Sequence, residues 1–148
     1  MATNNSYIRH AVGKNIPLVH QVSCLKIKYP QFSVTSTSYS MIINGSIRPT
    51  SRSVLYDFII EYELNKMPIT RIAEGQLIRN VKGEEIPHMY NQDSLCLFRP
   101  KYRQFTATSY IAATIIPWTS LWLYHYESWH VTGKWLGGGE HSGSRNQW

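Results

Sequence analysis

The chain of 148 residues is 43% hydrophobic and 16% charged, which excludes a disordered chain and suffices for one packed domain without disulfide or metal staples. No apolar run is long enough to span a bilayer and "MATNNSYIRHAVGKN" holds no apolar export core, so the chain reads as cytoplasmic, with no membrane partner. The formal charge of +6 sits at one end: residues 1–56 hold six Lys or Arg and no acid, while residues 57–148 hold nine of each sign.

In chain order, "NIPLVHQVSCLKIKY" (15–29) carries Leu18, Val22, Leu25 and Tyr29 at helical spacing behind Pro17. That spacing predicts a short amphipathic helix, with a strand as the alternative that its β-branched residues allow. Cys24 within it reads as a small buried hydrophobe. With only Cys24 and Cys96 present, both are expected as reduced thiols. "QFSVTSTSYSMII" is strand-like and runs into "NGS", a hairpin signal. "SVLYDFIIEYEL" is the clearest strand, with Val54, Tyr56, Phe58, Ile60, Tyr62 and Leu64 on one face. "ITRIAEGQLIR" (69–79) reads as another strand, interrupted by Gly75, and "NVKGEEIPH" as a turn-rich connection.

After "PHMYNQDSLCLF" and a loop, "RPKYRQF", a second helix is expected to begin near Pro117, since proline is tolerated only in a first turn. Trp118, Leu121, Trp122, His125 and Trp129 recur at three- and four-residue spacing and read as its core face. The tail, "GKWLGGGEHSGSRNQW", is rich in Gly and Ser. The fold class is therefore α+β: an N-terminal helix, a meander of three or four antiparallel strands, a loop around Cys96, one core helix and a short Gly/Trp-rich tail. It is read as a single domain over 1–148, with 1–14 and 137–148 mobile.

Cys96 is the candidate for chemistry. "NQDS" before it is able to turn the chain sharply and to offer N–H groups and amides to a developing oxyanion, and His88 lies upstream. Spacing alone favours a core thiol over a nucleophile. A metal site is not expected, because the two cysteines are far apart and His125 and His130 are five apart rather than four. A Cys–His hydrolase, with Cys96 as nucleophile and His125 or His130 as base, is a further alternative.

The order of elements resembles the ubiquitin-conjugating enzymes, with Ser94, Leu95, Cys96 and Leu97 in the places of a small residue, an aliphatic residue, the cysteine and a leucine. Phe105 resembles the aromatic residue that follows the cysteine by about nine positions in that family. The run "PHMY…LCLF…PW…WLYHYESWHVTGKWLGGGEH" is similar to the small bacterial ubiquitin-conjugating-like proteins of short type II CBASS antiphage operons. The resemblance implies that Cys96 is a nucleophile carrying a thioester. It implies as partners the cyclic GMP-AMP synthase-like nucleotidyltransferase of the same operon and an acceptor lysine on a target protein. No cofactor and no nucleic acid are expected.

The family's His-Pro-Asn tripeptide is absent, and "Pro-His-Met-Tyr" stands near its place. His88 or Asn91 is then the candidate for the asparagine's loop-steadying, oxyanion-stabilising role, Tyr90 for placing the incoming tail, and Ser94 with its neighbouring N–H groups as further support. The rival reading is a non-catalytic module that docks on and steadies the synthase, for which the basic N-terminal half fits an acidic surface. An ordinary solvated face accounts for the same cations.

Overall fold

A computed structural model of the protein describes residues 15–137. Residues 1–14 and 138–148, and what the sequence suggests of them, lie outside the described residues.

Helix α1 (Leu18–Lys28) starts directly after Pro17, ends with Lys26 and Lys28 near its negative dipole end, and buries Leu18, Gln21 and Leu25. Gln21 is fully buried and satisfied: its amide donates to Ser109 O at 2.8 Å and accepts from Ile111 N at 3.0 Å. This one side chain fixes the approach to the second helix.

Strands β1 (Ser33–Ser36), β2 (Ser40–Ile47), β3 (Tyr56–Glu63) and β4 (Ile69–Ile72) form an antiparallel sheet in chain order. Alternation in β3 buries Tyr56, Phe58, Ile60 and Tyr62, while Val54 lies outside the strand and is exposed. The register pairs Met41 with Tyr62 and Ile43 with Ile60, so the inner face is continuous.

Two expectations are corrected here. The first hairpin turns at 37–39 rather than at "NGS". Thr37 Oγ1 accepts from Ser40 N at 3.1 Å and Thr37 N donates to Ser40 O at 2.8 Å, a side-chain turn that precedes the stronger-looking signal. Asn44–Ser46 stays in the ladder with β3, and Gly45 is there because the Phe32 ring lies where a Cβ would project. The expected strand over 69–79 stops at Ile72. Gly75 takes a left-handed φ of 82°, and Gln76 pairs with Asp57, accepting from its N–H at 2.7 Å and donating to its carboxylate at 3.0 Å.

Beyond a two-stranded hairpin, β5 (Met89–Tyr90) and β6 (Ser94–Leu95), come two short 3-10 turns at Pro100–Tyr102 and Ile111–Ala113, and then helix α2 (Ile115–Thr132). Pro117 lies in its first turn and Gly133, with φ 75°, ends it by donating to Trp129 O at 2.7 Å. Helix α2 buries Ile115, Ile116, Thr119, Trp122, Leu123, Tyr126 and Trp129, in one core with the sheet's inner face. Tyr126 meets Tyr56 edge-on at 6.3 Å, and its hydroxyl accepts from Ile78 N at 3.0 Å. Side chains as deeply buried as Leu25 and Leu123 contribute about 1.5–3 kcal/mol each.

The stripe read from spacing is therefore rotated from the true core face. Trp122 and Trp129 are buried as expected, but Leu121 is 54% exposed and Trp118 and His125 are only half-buried. Their partners are beside Cys96.

Candidate functional site around Cys96

The polar run before the cysteine folds as a tight hairpin. Asn91 and Gln92 both have φ 53°, and Asp93 N donates to Tyr90 O at 2.9 Å, the mirror-image turn that suits the twist of paired strands. Asparagine tolerates this left-handed backbone because its short polar side chain compensates locally. Gln92 closes the loop on itself. Its amide accepts from Ile86 N at 2.9 Å and donates to Ile86 O at 2.7 Å. Asp93 ties the hairpin to the sheet through Arg71 Nε at 2.9 Å, which also lies 3.5 Å from Glu61.

The pairing Met89–Leu95 and Tyr90–Ser94 runs on into Cys96, whose N–H donates to His88 O at 2.9 Å. The same carbonyl accepts from Trp122 Nε1 at 2.9 Å. Helix α2 and the Cys96 backbone are thus pinned to one backbone oxygen, at a residue that itself has φ 55°. The cysteine's position is specified by both elements.

The Cys96 thiol donates to the Tyr90 hydroxyl at 3.3 Å, with Phe98 O at 3.7 Å. Cys96 is 8% exposed as a residue, yet it lines an open cleft of about 370 Å³. Leu97 and Phe98 continue its wall, Arg99 and Gln104 stand at its polar side, and Trp118, Leu121, Trp122 and His125 face it from α2. Gln104 Oε1 accepts from Arg99 N at 2.7 Å and so shapes the loop, in which the Arg99 guanidinium lies over the Tyr102 ring at 5.2 Å. The N–H groups of Leu97 and Phe98 make no hydrogen bond among the described residues.

Tyr90, 43% exposed, is the candidate that the structure brings directly to the sulfur. Ser94 is half-buried and opposite Tyr90 in the hairpin. His88 is 2% exposed, with its ring 4.8 Å from that of Trp135, and it meets the site through its backbone oxygen. Asn91 is exposed at the hairpin tip, where its backbone makes the turn, and among the described residues it has no hydrogen bond to Cys96.

Spacing missed two contributors. Gln92 was hidden among turn-forming residues, and a side chain that bonds a backbone six residues away leaves no local pattern. Trp135 folds back from the end of α2 against Trp122 (5.3 Å), His88 (4.8 Å) and His125 (5.8 Å), closing one end of the cleft. The run "GKWLGGG" carried its signal, a single aromatic among glycines.

A family model described as type II CBASS E2 protein matches residues 21–142. The chain belongs to the type II CBASS E2 proteins. The match spans every element described above from within α1 onward, so the E2-like α+β architecture and a role in the bacterial CBASS antiphage system both apply to this chain. That membership also implies association with the other proteins of a CBASS operon. No curated protein sequence matches the chain. Among the described residues, no helix is long and apolar enough to cross a membrane and no cluster of His, Cys, Asp or Glu has the makings of a metal site. Cys24 and Cys96 are both free thiols, and Cys24 packs half-buried against the core.

Proposed function

We propose that this CBASS E2 protein is a cysteine thioester carrier, in which Cys96 receives the carboxy terminus of the operon's cyclic-oligonucleotide synthase and passes it to an amine, a lysine of an acceptor protein. The observation that carries the reading is the setting of the sulfur. Cys96 is held by a hairpin that spends three left-handed non-glycine residues, His88, Asn91 and Gln92, and its thiol faces an open cleft with the Tyr90 hydroxyl at 3.3 Å. Left-handed backbone at non-glycine residues costs on the order of 1–3 kcal/mol each where nothing offsets it. A core thiol needs none of that arrangement.

Each transfer passes through a tetrahedral oxyanion. Tyr90 Oη, 3.3 Å from the sulfur, and the N–H groups of Leu97 and Phe98, the two residues that follow Cys96 along the cleft wall, are the candidate donors for that charge. A thioester lies uphill of a free carboxylate and thiol, so either a separate adenylating enzyme supplies the activated tail or Cys96 attacks an existing amide or ester bond. The tail's last residues then lie between the Leu97–Arg99 segment and the Trp118–His125 face of α2.

The test is protection from phage together with co-purification of the synthase. Cys96→Ala is expected to keep the synthase bound, to lose the covalent adduct on a denaturing gel, and to lose protection. Full protection by Cys96→Ala would sink the carrier reading and leave the docking module in its place.

A further inference from the structure

We propose that His125 is the general base of the transfer step, taking the proton from a lysine-type primary amine as that amine attacks a thioester on Cys96. This inference rests on the carrier reading above. Lysine amines are protonated near neutral pH, with an ordinary pKa of about 10.4, so an acceptor that reaches the thioester needs a group nearby to take its proton. The described lining of the Cys96 cleft contains no carboxylate. Among the described residues that line it, His125 is the one imidazole.

Its setting suits the role. His125 projects from α2 into the cleft and its ring is held from three sides, by Tyr124 at 5.4 Å, by Trp135 at 5.8 Å and by the backbone of Gly137. A Cβ on residue 137 would lie 2.5 Å from His125 Cδ2 and 2.7 Å from Nε2, so only glycine lets the chain lie this close to the imidazole. Desolvation by this packing lowers the histidine's pKa from its ordinary value, which keeps the ring neutral and able to accept a proton at pH 7.

In the step itself the acceptor attacks as its neutral amine, its ammonium proton having passed to water beforehand: the nitrogen forms a bond to the thioester carbonyl carbon, and the carbonyl electrons move to oxygen. One N–H proton passes to His125. The tetrahedral adduct collapses with cleavage of the C–S bond, the Cys96 thiolate leaves, and the imidazolium returns its proton to the sulfur. The products are an amide, a free thiol and a neutral imidazole, with no other reactant required.

The experiment loads the full chain by exchange with the 2-mercaptoethanesulfonate thioester of a short alanine-ended peptide, so that no activating enzyme is needed. Discharge is followed by intact mass with Nα-acetyl-lysine amide and, separately, with hydroxylamine, a weakly basic amine that is neutral at the assay pH. In His125→Ala the ratio of lysine to hydroxylamine rates is expected to fall about 100-fold, and added imidazole should recover part of it. Gly137→Ala, which leaves the imidazole in the chain but displaces it, should lower the same ratio. A ratio equal to that of the unaltered chain, or a fall that imidazole does not relieve, overturns the base. Failure of the unaltered chain to take up peptide on Cys96 overturns the carrier reading and the base with it, whereas loading with an unchanged ratio overturns the base alone.

Discussion

At the residue scale, the decisive contact is the one between Cys96 and Tyr90. The phenol is half in solvent and its hydroxyl is 3.3 Å from the sulfur, so it meets any acyl group that arrives there. Tyr90→Phe keeps the ring and removes only the oxygen. It is expected to slow acyl transfer to Cys96 by on the order of a hundredfold to a thousandfold, as loss of one aligned donor does, with no change in melting temperature. Equal rates in single-turnover loading would remove Tyr90 from the site. Gln92 acts differently, because both its bonds go to the Ile86 backbone. Gln92→Ala should destabilise the fold by about 1–3 kcal/mol in urea titration, and an unchanged midpoint would show that the hairpin holds without it. Little of this was legible beforehand. Spacing singled out Cys96 but ranked it as a core thiol, and resemblance to the ubiquitin-conjugating enzymes reversed that ranking. His88 and Asn91 drew attention as side chains, whereas the structure uses the first through its carbonyl and the second through its φ. Backbone roles leave weak traces in composition.

At the scale of elements, the strand alternation in 56–63 and the Pro17-led helix were readable because one period dominated each segment. The misplaced hairpin and the shortened fourth strand have a common cause: side chains of Thr37 and Gln76 compete for backbone groups and decide where the ladder ends. Gly45 shows how tertiary packing overrides a turn signal. Gly45→Ala drives a methyl into the Phe32 ring and is expected to cost about 1–3 kcal/mol by overpacking. Urea denaturation measures it, and a neutral result would mean that Phe32 gives way freely. The same override explains the second helix. An aromatic stripe at helical spacing need not be the core face when the helix also walls a cleft, and here Trp122 belongs to both surfaces. What spacing read as core is in part the candidate site.

At the scale of the whole molecule, the core is rich in buried phenols, and this sets its behaviour at alkaline pH. Burial, with the Glu127 carboxylate nearby, pushes the Tyr56 pKa up to about 12 from an ordinary 10.0. Tyr62 and Tyr126 are raised as well, chiefly by burial. A phenol whose folded pKa exceeds its unfolded one binds its proton more tightly when folded. Its stabilisation is complete below pH 10 and is lost as pH rises toward about 12. Urea midpoints are therefore expected to fall across that interval, and to fall less in Tyr56→Phe; a flat profile would contradict the burial of these hydroxyls. The measurement that bears most directly on the central claim is the intact mass of the full chain co-expressed with the neighbouring synthase and any adenylating enzyme of the operon, under denaturing, non-reducing conditions. Cys96→Ala and Cys24→Ala are run beside it, with hydroxylamine and thiol added in parallel. The account predicts an adduct of the synthase's mass that requires Cys96, is indifferent to Cys24 and is released by hydroxylamine. A complex that is stable in native buffer but yields no adduct in the unaltered chain would contradict it.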